Sequence, residues 1–145
     1  MYSAYTIAKY IINWCNDHSI RITNLKLQKL LYFLQGEIVK RTGNQLIKED
    51  FYAWQLGPVI PEVYNVFSIY SSSTIPKQEL NVSIDPELET HIGSVLSKYA
   101  RRSAWDLVDL SHCQDPWKYN YQIFGDKSII PFKSIEDFFK GADNQ

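Results

Sequence analysis

The residues of this chain that come nearest to a reactive set are His112, Cys113 and Asp115. A cysteine beside a histidine can form a nucleophile–base pair. Neighbouring residues on a helix point apart, however, and no nucleophile motif surrounds these three. The spacing argues instead for a histidine that hydrogen-bonds at a helix end, with Trp117 packed below the turn. His18 and His91 stand alone, with no second metal ligand four residues on. Asp106, Asp109 and Asp115 lack the glycine turn and closing glutamate of a calcium loop. There is no glycine-rich phosphate cradle, and Arg101-Arg102 reads as a dipole partner at a helix end. These patterns point to no catalytic residue, no metal and no cofactor, which leaves binding to another macromolecule as the expected activity.

The elements that carry these residues must come from a chain of 145 residues, 45% of them hydrophobic, with a formal net charge of −1. That is enough apolar material for one domain with its own core over 1–145 and too much for extended disorder. Near-neutral charge argues against nucleic acid and anionic membranes as partners. Residues 1–50 hold seven Lys/Arg against four acids and 51–100 hold two against five, an asymmetry that can orient a protein partner. Aromatics are abundant, with Trp 4, Tyr 10 and Phe 7, and rings serve both cores and interface hot spots. Cys15 and Cys113 are far apart and fit no metal spacing. Lys9 interrupts the apolar N-terminal stretch, which therefore reads as an amphipathic helix rather than a signal peptide. No run reaches the eighteen apolar residues of a membrane span, so the expected location is the cytoplasm.

Periodicity predicts a mainly α fold, a compact bundle of about five to six helices with a minor short β element. Ile7, Ala8, Ile11, Trp14 and Cys15 mark a first helix, with Ser3 as its N-cap. A second helix starts at the Thr23 cap and ends before Gly43. It has one stripe in Leu27, Leu30, Leu31, Leu34 and Ile38 and another in Leu25, Tyr32 and Val39. Apolar on two sides, it must be central to the fold or docked to a partner. Short strands are expected at Leu46-Ile47, Phe51 to Trp54 and Asp126 to Pro131. Gly57-Pro58-Val59-Ile60-Pro61 reads as a turn feeding a third helix through Val63, Val66, Phe67 and Tyr70. Asp85-Pro86-Glu87 and Ser103 open two more helices. Pro116-Trp117 follows a turn, and Ser134 with Asp137 reads as the capping box of a last helix.

Several of these segments together resemble the Panacea domain of the SocA-like antitoxins. They are Ile7-Ala8 with Tyr10-Ile11, then Thr23 to Phe33, Ala53-Trp54, Gly57 to Pro61 and Val63-Tyr64. Leu107 to Leu110, Ser111-His112 and Pro116-Trp117 complete the set. The resemblance implies a helical domain that neutralises a cognate toxin protein by direct binding. It also implies a possible second partner, a Clp protease, because the member that names the family hands its toxin to one. Some relatives are phage-borne and some carry an added DNA-binding region, for which the first helix, starting almost at Met1, leaves no room. A phage-associated regulatory or DNA-associated protein is the alternative reading, and a basic recognition helix would be its mark.

Two sets of residues are candidates for the partner surface. Lys26, Lys29, Tyr32 and Phe33 can form a toxin-facing patch on the second helix, or a solvated charged face with Tyr32 packed inside. As an interface, the two rings would contribute roughly 2 kcal/mol or more each, and Phe33→Ala would weaken binding without unfolding the domain. Trp54 and Tyr64 can be presented by the Gly57–Pro61 turn, whose alternative role is simply to start a helix; rigid presentation also lowers the entropy lost on binding.

Overall fold

The computed structural model describes residues 1–141. In chain order they form α1 (Ala4–Asp17), α2 (Asn24–Thr42), β1 (Phe51–Trp54), β2 (Gly57–Val59) and α3 (Pro61–Phe67), the last continued by a single 3-10 turn, Ser68–Tyr70. After a long loop come α4 (Pro86–Tyr99), α5 (Ala104–His112), α6 (Asp115–Phe124), β3 (Ser128–Ile130) and α7 (Phe132–Gly141). The fold is mainly α with a minor antiparallel sheet, and no helix among the described residues is long and apolar enough to cross a membrane.

The helix starts follow local chemistry. Ser3, Thr23, Asp85 and Ser103 each accept a hydrogen bond from a backbone N–H in the first turn that would otherwise lack a partner. Gly43 ends α2 at φ 76°, where an L side chain would be strained. Apart from half-buried Leu25, both stripes of α2 are buried because α1, α3, α4, α5, α7 and β2 all pack around it. At its middle, Phe33 stacks on Tyr99 of α4, and Tyr32 meets Phe51 and Phe139 edge-on. Gly36 lets α7 lie close, since a Cβ there would run into the Phe139 ring.

Seven α-helices are present among the described residues, and α6 is the one the periodicity missed. Its buried positions include a polar residue, Asn120, whose amide bonds back to the Pro116 carbonyl, so no continuous apolar stripe announces it. Three local expectations are corrected. Leu46-Ile47 makes only an isolated bridge from Ile47 to Tyr2, because Gln35 takes up the backbone of both residues. Gly57-Pro58-Val59 is a strand rather than a turn: β1 and β2 form a hairpin, with Tyr52 opposite Val59 and Trp54 opposite Gly57. Proline is tolerated there because β2 is an edge strand of the order β2-β1-β3. Ser134 does not cap α7, which already starts at Phe132 behind Pro131, and Asp137 pairs with Lys133 at 2.9 Å.

Candidate functional site

The hairpin turn between β1 and β2 gathers the motifs that stand furthest apart in the sequence. Three of its backbone carbonyls are each held by a side chain from elsewhere. Trp117 Nε1 donates to the Trp54 carbonyl at 2.7 Å, His112 Nε2 lies 3.1 Å from that of Gln55, and Lys29 Nζ donates to that of Pro58 at 2.7 Å. With the histidine proton on Nε2, all three contacts are hydrogen bonds. His112 also stacks on Trp117, which stacks in turn on Tyr121. Gly57 is required twice over in this turn. Its φ is 111°, and a Cβ would stand 2.8 Å from both Lys29 Cε and Ser111 Oγ.

The clamp continues into α3. Gln28 Oε1 accepts the Ile60 N–H at 3.0 Å, while Asn24 Nδ2 donates to the Tyr64 carbonyl at 3.0 Å. Among the described residues every buried side-chain N or O has a partner. Burial pushes the Lys29 ammonium down to a pKa of about 7, and no carboxylate pairs with it. Burial also lowers the His112 pKa; the Gln55 carbonyl opposes this and nearby Lys29 adds to it. Burial at this turn therefore disfavours the charged form of both groups.

Tyr32 is packed inside, as in the second of the two alternatives for this helix, while Lys26 and Lys29 lack the exposure that both alternatives gave them. Lys29, Tyr32 and Phe33 are fully buried and Lys26 is only 8% exposed, so together they present almost no surface in the folded chain. Lys29 holds Pro58, the Tyr32 hydroxyl donates to Gln114 Oε1 at 2.8 Å, and Phe33 lies on Tyr99. The His112-Cys113-Asp115 cluster is likewise drawn into structure: His112 faces Gln55, and Asp115 opens α6.

Trp54 and Tyr64 remain half-buried at the surface, edge-to-face with ring centroids 5.1 Å apart. They stand beside a groove of about 760 Å³. The first turn of α2 lines one side, the hairpin tip another, and the ends of α3 and α5 close it; none of its lining residues is charged. Two large apolar side chains on its rim are strongly exposed, Leu56 at 40% and Trp105 at 60%. Sequence reasoning passed over both. The available signals were an apolar residue in a two-residue hairpin loop and a tryptophan off the Leu107-Val108 stripe of its helix.

No solved structure matches the chain. A family model described as "Antitoxin SocA-like, Panacea domain" matches residues 27–118, a span that holds Lys29, the hairpin, His112 and Trp117. The antitoxin SocA of Caulobacter vibrioides is 33% identical over 127 residues, covering 79% of this chain and 68% of the relative. This chain belongs to the SocA-like antitoxin family and carries its Panacea domain.

Proposed function

We propose that this protein is an antitoxin that neutralises a toxin protein by binding it non-catalytically, through the groove flanked by the hairpin tip, Tyr64 and Trp105. The observation that carries this reading is the pairing of a half-buried ring and an exposed leucine with a backbone tied down by side chains from elsewhere in the fold. Trp54 and Leu56 ride on a turn whose carbonyls are held from three sides. Aromatic anchors with little freedom left to lose are the usual energetic centre of an interface. Trp54 and Tyr64 are retained as partner-binding residues, with Leu56 and Trp105 added. Lys26, Lys29, Tyr32 and Phe33 act at one remove, by building the platform.

The test is co-expression with the product of the adjacent reading frame, scored for rescue of growth and for co-migration on size exclusion. Trp54→Ala and Trp105→Ala should each lose rescue and co-migration while circular dichroism stays helical. Complex formation unchanged in both variants would remove the groove from the reading. Delivery of the toxin to a Clp protease, the mode implied by the family's name-giving member, would appear as a shorter toxin half-life only when chain and protease are both present.

A further inference from the structure

The groove is electrically neutral and leaves a bound backbone little to hydrogen-bond with. None of its lining residues is charged. Of the exposed charged residues within two positions of that lining, Arg21 and Arg102 are balanced by Glu62 and Asp106. The two buried amides of the lining are spent. Gln28 Nε2 donates to Asn24 Oδ1 at 3.1 Å, Gln28 Oε1 accepts the Ile60 N–H, and Asn24 Nδ2 donates to the Tyr64 carbonyl. The β2 strand borders the groove at Val59 and lies at the edge of its sheet, yet that edge is shut. Val59 pairs with Tyr52 of β1, Pro58 has no N–H and its carbonyl is held by Lys29, and the next N–H, of Ile60, goes to Gln28. The remaining walls are largely apolar, with Leu25, Trp54, Leu56, Val59, Ala104 and Trp105. An extended peptide laid here would press backbone N–H and C=O groups against these walls without partners, at about 1–3 kcal/mol for each group buried. A helix satisfies its own backbone and meets a groove with side chains alone.

We infer that the groove receives the apolar face of a helix of the partner protein, its anchors packing against Trp54, Leu56, Tyr64 and Trp105. The inference rests on the protein-binding reading above and adds the conformation and chemistry of the bound segment. Anchors one turn apart enter the groove, and the polar flanks of the helix meet exposed Gln55, Ser71 and Ser72. A neutral lining matches a neutral face. Affinity then comes from apolar burial and depends little on salt. Strand addition lacks free ladder groups along β2, and a nucleic-acid strand would need cations along a track that the lining does not hold.

Intrinsic tryptophan fluorescence of the full chain tests this with three tryptophan-free peptides of about twenty residues. One places Leu and Phe at helical spacing on one face and equal numbers of Glu and Lys on the other. The second scrambles the stripe at the same composition, and the third keeps the stripe but carries two central prolines that break the helix. The striped peptide should bind roughly tenfold tighter than either control. Its affinity should change less than about twofold between roughly 50 and 300 mM NaCl. Leu56→Ser, which keeps all four tryptophans, should lower that affinity several-fold, with folding verified by circular dichroism. No binding of the striped peptide, equal binding of the proline peptide, a several-fold loss in salt, or unchanged affinity in Leu56→Ser would overturn the inference. Hydrogen exchange on the complex with the adjacent gene's product separates it from the reading it rests on. Protection of a helix of that product, lost in Trp105→Ala, supports the inference. Capture that depends on Trp54 and Trp105 but protects only strands or loops of the product excludes the helix and leaves toxin binding at the groove standing.

Discussion

The inner and outer faces of the β1–β2 hairpin solve opposite problems. On the inner face, Lys29 holds the buried Pro58 carbonyl, Trp117 the part-buried Trp54 carbonyl, and His112 meets that of Gln55 nearer the surface. On the outer face, Leu56 and Trp105 leave apolar area in contact with it. A buried carbonyl without a partner costs about 1–3 kcal/mol, so the inner contacts decide whether the hairpin holds its shape. The outer contacts cost folding little and are free to serve association. Lys29, His112 and Trp117 therefore belong to the platform, and the residues proposed for binding stand beside them.

Three substitutions would break or sharpen this contrast. The largest effect is expected on the inner side, at Phe33. Phe33→Ala removes a fully buried ring from its stack on Tyr99 and should destabilise the fold by about 3–5 kcal/mol. Urea unfolding measures this, and a loss below about 1 kcal/mol, the range of surface substitutions, would return Phe33 to the contact residues.

On the outer side, Trp105→Ala should leave stability within about 0.5 kcal/mol of the parent. Its affinity for the partner toxin should fall by about 2 kcal/mol, roughly thirtyfold, in a calorimetric titration. A stability loss as large as that of Phe33→Ala would show that the two faces are not separable.

The smallest effect is pH-dependent. Lys29 has a folded pKa of about 7 against 10.5 as its ordinary value, so between these limits the unfolded chain binds the proton more readily. Stability should therefore rise from pH 7 to 8.5, by on the order of 1–2 kcal/mol. Lys29→Met should flatten that rise, as read from urea midpoints at the two pH values. The window ends before Cys15 and Tyr10, raised by burial to about 11 and about 12, begin to act in the opposite direction. His112, with a lowered pKa, contributes its own rise only below its ordinary value of 6.5, outside the window. A slope that persists in Lys29→Met would mean the ammonium is not the buried group responsible.

Much of the helical frame was legible in residue types. Ser3, Thr23, Asp85, Ser103 and Gly43 place helix ends through bonds made within a few residues, which spacing alone reveals. The candidate surface was half legible. Trp54 and Tyr64 were named from their neighbourhood to the Gly57–Pro61 segment, and both lie at the groove. For Lys26, Lys29, Tyr32 and Phe33 the sequence leaves open whether the rings are exposed or packed inside, because a helix shows its faces in sequence without showing which face is covered. The covering elements α4, the hairpin, α5 and α7 come from distant segments.

By itself, then, the sequence determined the helical class, most helix boundaries and a family pattern running from α1 to α6. The first two depend on short-range capping and periodicity, the third on a resemblance in residue identities and their order. Only the tertiary structure decided that a lysine at the heart of the motif is a buried clamp and that a tryptophan outside every stripe stands free. Burial is a property of what packs from far along the chain: a polar group is worth hiding only when a partner such as the Pro58 carbonyl is brought within hydrogen-bond reach.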